Sequence, residues 1–198
     1  MKRFCTLLIP ALLIAFLVSV VPFVDSCREL SDDVLRVHIL ANSDSAADQS
    51  LKLAVRDRIL EHCSVYFDQC EDKNEALAVT REHLDEIEAV AQSEIRAHGF
   101  DYPVKAEVGQ AYFDTRYYEE FTMPAGWYDS LRLTIGGGGG KNWWCVMYPA
   151  LCVGAACREK MKEDLSDGEY RVVTADRVDF RFKLVEYWEE LVNFFRGG

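Results

Sequence analysis

The N-terminal segment constrains this chain most strongly, because it decides which residues are left to fold and in which compartment they do so. Lys2 and Arg3 precede an uncharged stretch, Phe4 to Val24, which is rich in Leu, Ile, Val, Phe and Ala. A basic start followed by an apolar run is typical of an export signal, and the run is also long enough to span a bilayer if it is not removed. We therefore expect residues 1–26 to be a signal peptide or an uncleaved membrane anchor.

Export determines how the cysteines are interpreted, because disulfides form in oxidising compartments. Of the seven cysteines, Cys145 and Cys152 lie on two short limbs around Pro149, and they are the pair that we expect to form a disulfide. Two buried free thiols are the alternative. Cys27 is a poor lipoprotein site because the acidic Asp25 lies close to it. The cysteines and the four histidines do not have metal-ligand spacing, so we expect no metal site.

The balance of charge excludes two classes of partner. The chain has 33 acidic and 22 basic residues and a formal net charge of −11. Nucleic-acid binding needs a basic surface, and an anionic bilayer attracts basic segments rather than acidic ones. We therefore expect no nucleic-acid partner, and membrane contact only through residues 4–24 if that segment is uncleaved.

Hydrophobic periodicity predicts an α+β fold. A β-rich run at 34–40 leads into a capped helix that begins just after Ser45, and a second helix is predicted from about Asp72 to His98, ended by Gly99. Period-two alternation then predicts strands around 104–108, 127–135 and 142–148. The expected architecture is therefore a strand, two helices, an antiparallel sheet of three or more strands, and a C-terminal helix. The last helix is predicted from about Asp179 to Phe195.

A run of five glycines, Gly136 to Gly140, ends in Lys141. A phosphate-binding P-loop would need a glycine at position 135 and a hydroxyl at 142, but these positions hold Ile135 and Asn142. The run is instead predicted to be the tip of a hairpin between two strands, and to be disordered unless a partner clamps it.

Recognised catalytic sequence signatures are missing. The chain has no G-x-S-x-G, H-E-x-x-H or D-[ST]-G sequence, and His38 lies among apolar residues where a packed histidine is the simpler explanation. We expect no catalytic residue and no cofactor. Trp143 and Trp144 must face opposite sides of their strand, so either both faces of the sheet are covered or one Trp is an anchor for a protein partner.

Four segments together resemble the stage II sporulation protein R family of endospore-forming bacteria. They are LRVHILANSDSAADQSLKLAVRDRIL (35–60), VGQAYFDTRYY (108–118), PAGWYDSLRLTIG (124–136) and NWWCVMYPALC (142–152). The chain departs from the family pattern in having five plain glycines where G-E-G-x-G is usual, and Ala150 where a second proline is usual. Residues 153–198 carry little of the resemblance.

The resemblance implies a signalling role rather than an enzymatic one. Such proteins are made in the forespore and exported into the space between the two sporulation membranes. There they trigger a membrane-embedded aspartic protease of the mother-cell membrane, which cleaves the precursor of sigma-E. The expected location of this chain is thus the intermembrane space, or the forespore membrane if the N-terminal segment is uncleaved.

From these observations we predict three regions and one docking face. Residues 27–152 form the signalling domain, and residues 153–198 form a variable linker with an amphipathic C-terminal helix. The predicted partner-binding residues come from two separate segments and the helix between them: Asn42, Ser43, Asp44, Lys52, Arg56, Trp143, Trp144 and Tyr148. Two other functions stay open, namely a wall or carbohydrate-binding module that uses the tryptophans, and a secreted hydrolase of unfamiliar type.

Overall fold

A computed structural model describes residues 2–119, 121–149, 157–176 and 179–196. It shows the alternation of strands and helices that the sequence predicts. The helices in those residues are α1 Lys2–Asp33, α2 Ala46–Phe67, α3 Lys73–Glu82, α4 Leu84–Ala97, α5 Cys157–Asp164, α6 Asp167–Val173 and α7 Phe180–Arg196. The strands are β1 Leu35–Leu40, β2 Val104–Phe113, β3 Arg116–Tyr117, β4 Thr122–Met123, β5 Gly126–Ile135 and β6 Asn142–Tyr148. The α+β prediction is confirmed.

The main sheet has four strands in the order β2-β5-β1-β6. The central strand β1 runs parallel to β5, with Val37 opposite Leu131, and antiparallel to β6, with Val37 opposite Cys145. The sheet is therefore mixed, whereas the sequence predicted an antiparallel one. All six residues of β1 are buried, as expected for a central strand that pairs with a parallel neighbour. Strands β3 and β4 form a second, two-stranded sheet.

The helix predicted over 72–98 is two helices, because the chain breaks at His83. His83 ends α3 and starts α4, and its ring stacks on Tyr66 with 4.2 Å between centroids. Its Nδ1 lies 3.0 Å from a carboxylate oxygen of Glu86. The predicted stop at Gly99 is confirmed: Gly99 has φ +79°, and Phe100 N–H donates to the carbonyl of Ile95, as in a Schellman motif.

The chain forms two compact units, each assembled from separate segments. The first, here called the sheet unit, comprises residues 32–111 and 127–164. Its core lies between one face of the sheet and helices α2 and α4. Apolar residues spaced along both helices, such as Leu51 and Val55 of α2 and Ile87 of α4, are buried with Val37 and Leu131 of the sheet. Each such side chain contributes roughly 1.5–3 kcal/mol of burial free energy.

The second, here called the terminal unit, comprises residues 1–31, 112–126 and 165–198. The predicted C-terminal helix is confirmed as α7, and its Phe182 ring lies edge-on to Phe23 of α1 with 5.2 Å between centroids. A linker was predicted over 153–175, but α5 and α6 occupy much of it. The α6 helix begins with a capping box in which Ser166 and Glu169 each accept from the other's backbone N–H.

Within the part of the chain that the structure describes, no helix combines the length and the apolar character required to cross a membrane.

Candidate docking surface

The five-glycine segment crosses over the end of β1 and is not the tip of a hairpin. Strands β5 and β6 lie on opposite sides of β1, so the chain between them must pass over the residues that follow β1. Gly139 N–H donates to the carbonyl of Asn42 at 3.2 Å, and Gly140 N–H donates to the carbonyl of Ala41 at 2.9 Å. The sequence predicted a run that is disordered unless a partner clamps it, but hydrogen bonds within the chain itself hold the run in place.

The side chain of Asn42 links the glycine loop to the start of α2. Its Oδ1 accepts from Gly137 N–H at 3.0 Å, while its Nδ2 donates to Asp48 Oδ2 at 3.0 Å. Ser43 Oγ donates to the same Asp48 oxygen at 2.5 Å. The hydrogen bond from Ser43, followed by the one from Asn42, holds the pKa of Asp48 below its usual value. Ionised Asp48 therefore fixes the two side chains that shape this turn.

Asp44 and Lys52 hold both backbone groups of Lys141. The N–H of Lys141 donates to Asp44 Oδ1 at 2.6 Å, and its carbonyl accepts from Lys52 Nζ at 2.9 Å. Lys52 Nζ also donates to Gln49 Oε1 at 2.7 Å. Lys52 is buried, and this burial lowers its pKa, while the charge of Asp44 opposes the shift. The result is a fixed backbone at the point where the loop enters β6.

Two glycines of the loop lie very close to the turn after β1. A Cβ at Gly136, where φ is +57°, would lie 2.3 Å from Asn42 Oδ1. A Cβ at Gly140 would lie 2.3 Å from the carbonyl oxygen of Ser43. At Gly140 the neighbour is backbone that cannot rotate away, whereas at Gly136 a side chain would displace that of Asn42 and would also have to adopt a left-handed φ, so both positions favour glycine.

Arg56 and Trp143 form a half-exposed pair beside this clamp. The Arg56 guanidinium lies over the Trp143 ring, 5.0 Å from its centroid, and it also pairs with Asp57 at 2.7 Å. The charges of Arg56 and Lys141 both act to lower the pKa of buried Lys52, so the three basic groups are close together. We define the Arg56–Trp143 patch as Arg56, Lys141, Asn142 and Trp143. It is a basic and aromatic surface on an acidic chain.

The other two predicted aromatic residues lie away from this patch. Trp144 faces the opposite side of the sheet and stacks on His38, with 3.5 Å between ring centroids and 13° between ring planes. This confirms that the two tryptophans point to opposite faces. Tyr148 lies at the far end of β6, where its hydroxyl donates to the carbonyl of Cys70 at 3.2 Å.

The predicted docking residues therefore divide into three groups. Asn42, Ser43, Asp44 and Lys52 bond within the chain and hold the glycine loop, Arg56 and Trp143 are half exposed together, and Trp144 and Tyr148 lie elsewhere in the sheet unit. Partner binding by these residues stays a prediction.

The sequence did not identify Lys141 as a site residue, nor Asp48 as the carboxylate that binds both Asn42 and Ser43. The polar signal was present, since Asp48 was recognised as part of the helix start. Its N–H does donate to the N-cap Ser45 Oγ at 3.1 Å. Its carboxylate, however, also accepts from Asn42 and Ser43, and Asn42 in turn binds Gly137, which lies 95 positions further along the chain.

The cysteines do not provide a nucleophile among the described free thiols. Burial raises the pKa of Cys27 and Cys63 to about 12, and burial also raises the pKa of Cys70. A reactive thiol needs the opposite shift. Cys145 is buried in β6, and Cys152 lies outside the described residues, so their pairing stays a prediction.

The comparisons with known proteins agree on one family. The family model described as stage II sporulation protein R matches residues 31–158. The chain belongs to the stage II sporulation protein R family. A curated relative, stage II sporulation protein R of Bacillus subtilis (strain 168), is 33% identical over 152 residues, which cover 74% of this chain and 68% of the relative. No solved structure matches the chain. The family match includes both segments that build the Arg56–Trp143 patch.

Proposed function

We propose that this chain is a non-enzymatic signalling protein of sporulation. It is exported from the forespore into the space between the two sporulation membranes. There it docks on the outward-facing side of a membrane-embedded aspartic protease in the mother-cell membrane. Docking activates the protease, which cleaves the sigma-E precursor. Family membership supports the role in sporulation, and the resemblance of the sequence supports the choice of partner.

The observation that carries the proposal is the convergence of two distant segments on one surface. Asp44 and Lys141 are 97 positions apart and are joined by a 2.6 Å hydrogen bond, which places the polar turn after β1 beside the start of β6. The Arg56–Trp143 patch stands on this junction. Its backbone is already ordered by hydrogen bonds, so binding costs little conformational entropy. Arg and Trp are also the residue types that most often dominate protein interfaces.

Charge suggests what the partner segment looks like. Lys141 is exposed, and Arg56 lies over the Trp143 ring while paired with the exposed Asp57. The complementary surface therefore carries a carboxylate that takes the place of Asp57, beside an apolar group. Such pairing contributes mainly to specificity and to the rate of association, whereas the buried ring contributes affinity. For activation, the chain must bind the active state of the protease more tightly than the inactive state. Each tenfold preference shifts that equilibrium by about 1.4 kcal/mol.

The structure gives less support to the two alternatives. A sugar platform built from both tryptophans would need the two rings on one face, but Trp143 and Trp144 face opposite sides of the sheet. A cysteine hydrolase would need a thiol with a lowered pKa, whereas the pKa values of Cys27, Cys63 and Cys70 are raised.

The test is reconstitution in a non-sporulating host that makes the full chain, the protease and the sigma-E precursor. We expect processing of the precursor when the chain is present and no processing when it is omitted. The double variant Arg56→Ala/Trp143→Ala should lose processing. The matched control is Arg58→Ala, which removes an exposed arginine paired with Glu61 on the same helix and should process normally.

Two results would contradict the proposal. If a well-expressed protease leaves the precursor intact in the presence of the exported chain, this chain is not its activator. Retention of the chain on purified peptidoglycan would then favour the wall-binding alternative. If processing occurs and survives Arg56→Ala/Trp143→Ala, the activator role holds but the docking surface lies elsewhere.

A further inference from the structure

The second half of α1 is part of a folded core. Phe23, Cys27 and Leu30 follow one another at helical spacing and are 6%, 5% and 0% exposed. They form a single stripe, because residues separated by three or four positions lie on one face of a helix. A segment that only directs export has no need for such a buried stripe.

The partners of this stripe come from the other end of the chain. The Phe23 ring meets Phe182 of α7 edge-on at 5.2 Å, and the Arg181 guanidinium lies 4.3 Å from the Phe23 centroid. Asp179 fixes that guanidinium by accepting from its Nε at 3.0 Å. Phe182 itself is 0% exposed. The start of α7 therefore packs on Phe23.

A second contact involves α6. A Cβ at Gly168 would lie 2.6 Å from Ser26 Oγ and 3.5 Å from Ser26 Cβ, so the two helices are in close contact at this glycine. Helix α1 is therefore packed against both α6 and α7, over the same few residues that the sequence places at the end of the export segment.

Residues upstream behave differently. Apolar side chains of α1 before Pro22 that the structure describes are largely exposed, with Ile14 at 60%, Phe16 at 43%, Val18 at 69% and Val21 at 49%. The change from exposed to buried falls between Val21 and Phe23. The sequence alone placed the end of the export segment at Ser26, three residues later.

We infer that the exported protein retains Phe23 and the rest of α1 after it, and that the chain is not cut after Ser26. A cut there would remove Phe23 from the core of the terminal unit and would leave the buried Phe182 with Tyr117 but without the closer Phe23 ring. A lipid-modified N-terminus at Cys27 is opposed by the same geometry, since that side chain is buried. If a leader is removed, the cut lies upstream of Phe23. This inference goes beyond the proposed function and shares with it only the export of the chain.

The first test is the mass of the exported chain. The full chain is produced in an exporting host, the fraction that external protease can digest is taken as exported, and its N-terminus is determined by mass spectrometry. We expect every exported chain to contain Phe23. A folded exported chain that begins at Cys27 or at any other residue after Phe23 would overturn the inference.

The second test works on the purified full chain whether or not it is exported. Phe23→Ala should free α7 and speed tryptic cleavage at Arg181 and Lys183 by about tenfold or more, because local opening exposes the helix. Phe23→Leu should restore most of the protection. The matched control is Phe16→Ala, which removes an exposed phenylalanine from the same helix and should leave the cleavage rate unchanged.

Equal cleavage rates for Phe23→Ala and Phe16→Ala would overturn the inference. If Phe23→Ala fails to fold at all, Phe23 is shown to be part of the fold, and the mass measurement on the unaltered chain decides whether it is retained. Failure of protease activation, by contrast, leaves both readouts unaffected.

Discussion

At Gly140 the glycine loop lies closest to the backbone of the turn after β1. A Cβ there would meet the carbonyl oxygen of Ser43 at 2.3 Å and its carbonyl carbon at 2.5 Å. These are backbone atoms, which cannot rotate away as a side chain could. The neighbouring Gly137 lies differently, because the nearest atom to its Cβ would be Asn42 Oδ1 at 3.7 Å. Two glycines of one run thus have distinct physical roles.

We expect Gly140→Ala to destabilise the chain by about 1–3 kcal/mol, since the loop must shift away from Ser43. Urea unfolding of the purified chain measures this change. Gly137→Ala is the matched control and should change the free energy of unfolding by less than about 0.5 kcal/mol. Equal effects of the two substitutions would contradict the description of the loop.

Asp48 makes the same loop sensitive to acid. Hydrogen bonds from Ser43 and Asn42 lower its pKa in the folded chain, so folding favours the ionised form. Its stabilising contribution is therefore complete above the ordinary pKa of aspartate, about 3.9, and is lost as pH falls through the lowered value.

The difference in unfolding free energy between the unaltered chain and Asp48→Asn should accordingly be largest near neutral pH and shrink below about pH 3.9. Denaturant unfolding across pH 3–7 gives the comparison. Asp101→Asn, at an exposed aspartate, should show no such dependence. A difference between the chain and Asp48→Asn that grows as the pH falls would have the wrong sign.

At the scale of elements, helix α2 has the largest number of roles. It supplies part of the core, Lys52, which holds the glycine loop, and Arg56 of the Arg56–Trp143 patch. Its start is fixed by Ser45, whose Oγ accepts from Asp48 N–H at 3.1 Å. We expect Ser45→Ala to cost about 1 kcal/mol, the usual effect of losing an N-cap. Thermal or urea unfolding measures it. Ser50→Ala, at an exposed serine one turn later, should have little effect, and a cost equal to that of Ser45→Ala would contradict the capping role.

Local patterns predict elements well where apolar spacing and end signals coincide. The strand before Asn42, the start of α2 at Ser45, the stop at Gly99 and the C-terminal helix all follow from neighbouring residues. The break at His83 does not, because the apolar spacing continues through it. Helices α5 and α6 are short and rich in charge, so they carry little apolar signal.

Strand order and the site depend on contacts that no local pattern contains. The period of β5 is visible in the sequence, but its parallel pairing with β1 follows from the tertiary arrangement. The sequence likewise singles out Asn42, Asp44 and Lys52 as candidate site residues. Their hydrogen bonds to Gly137 and Lys141, however, depend on the path of the glycine loop, which the local pattern does not contain. Proximity of Arg56 to Trp143 could be guessed from the resemblance, but the stacking of Trp144 on His38 could not.

At the scale of the whole molecule, the family match contains most of one unit and a smaller part of the other. Residues 31–158 match the family model and contain most of the sheet unit and residues 112–126 of the terminal unit, while α6 and α7 lie beyond the match. We therefore assign the proposed docking to the sheet unit. The terminal unit contains the contacts from which we infer that the second half of α1 is retained.

The most direct measurement of the central claim is the affinity of the purified chain for its protease in lipid nanodiscs. Truncating a central Trp at an interface costs roughly 2 kcal/mol or more, which is about thirtyfold in Kd. We predict that Trp143→Ala weakens binding by at least this factor, while Arg58→Ala and the unaltered chain bind alike. Binding that is unchanged by Trp143→Ala, in a variant that unfolds as cooperatively as the original chain, would contradict the assignment of the Arg56–Trp143 patch as the docking surface.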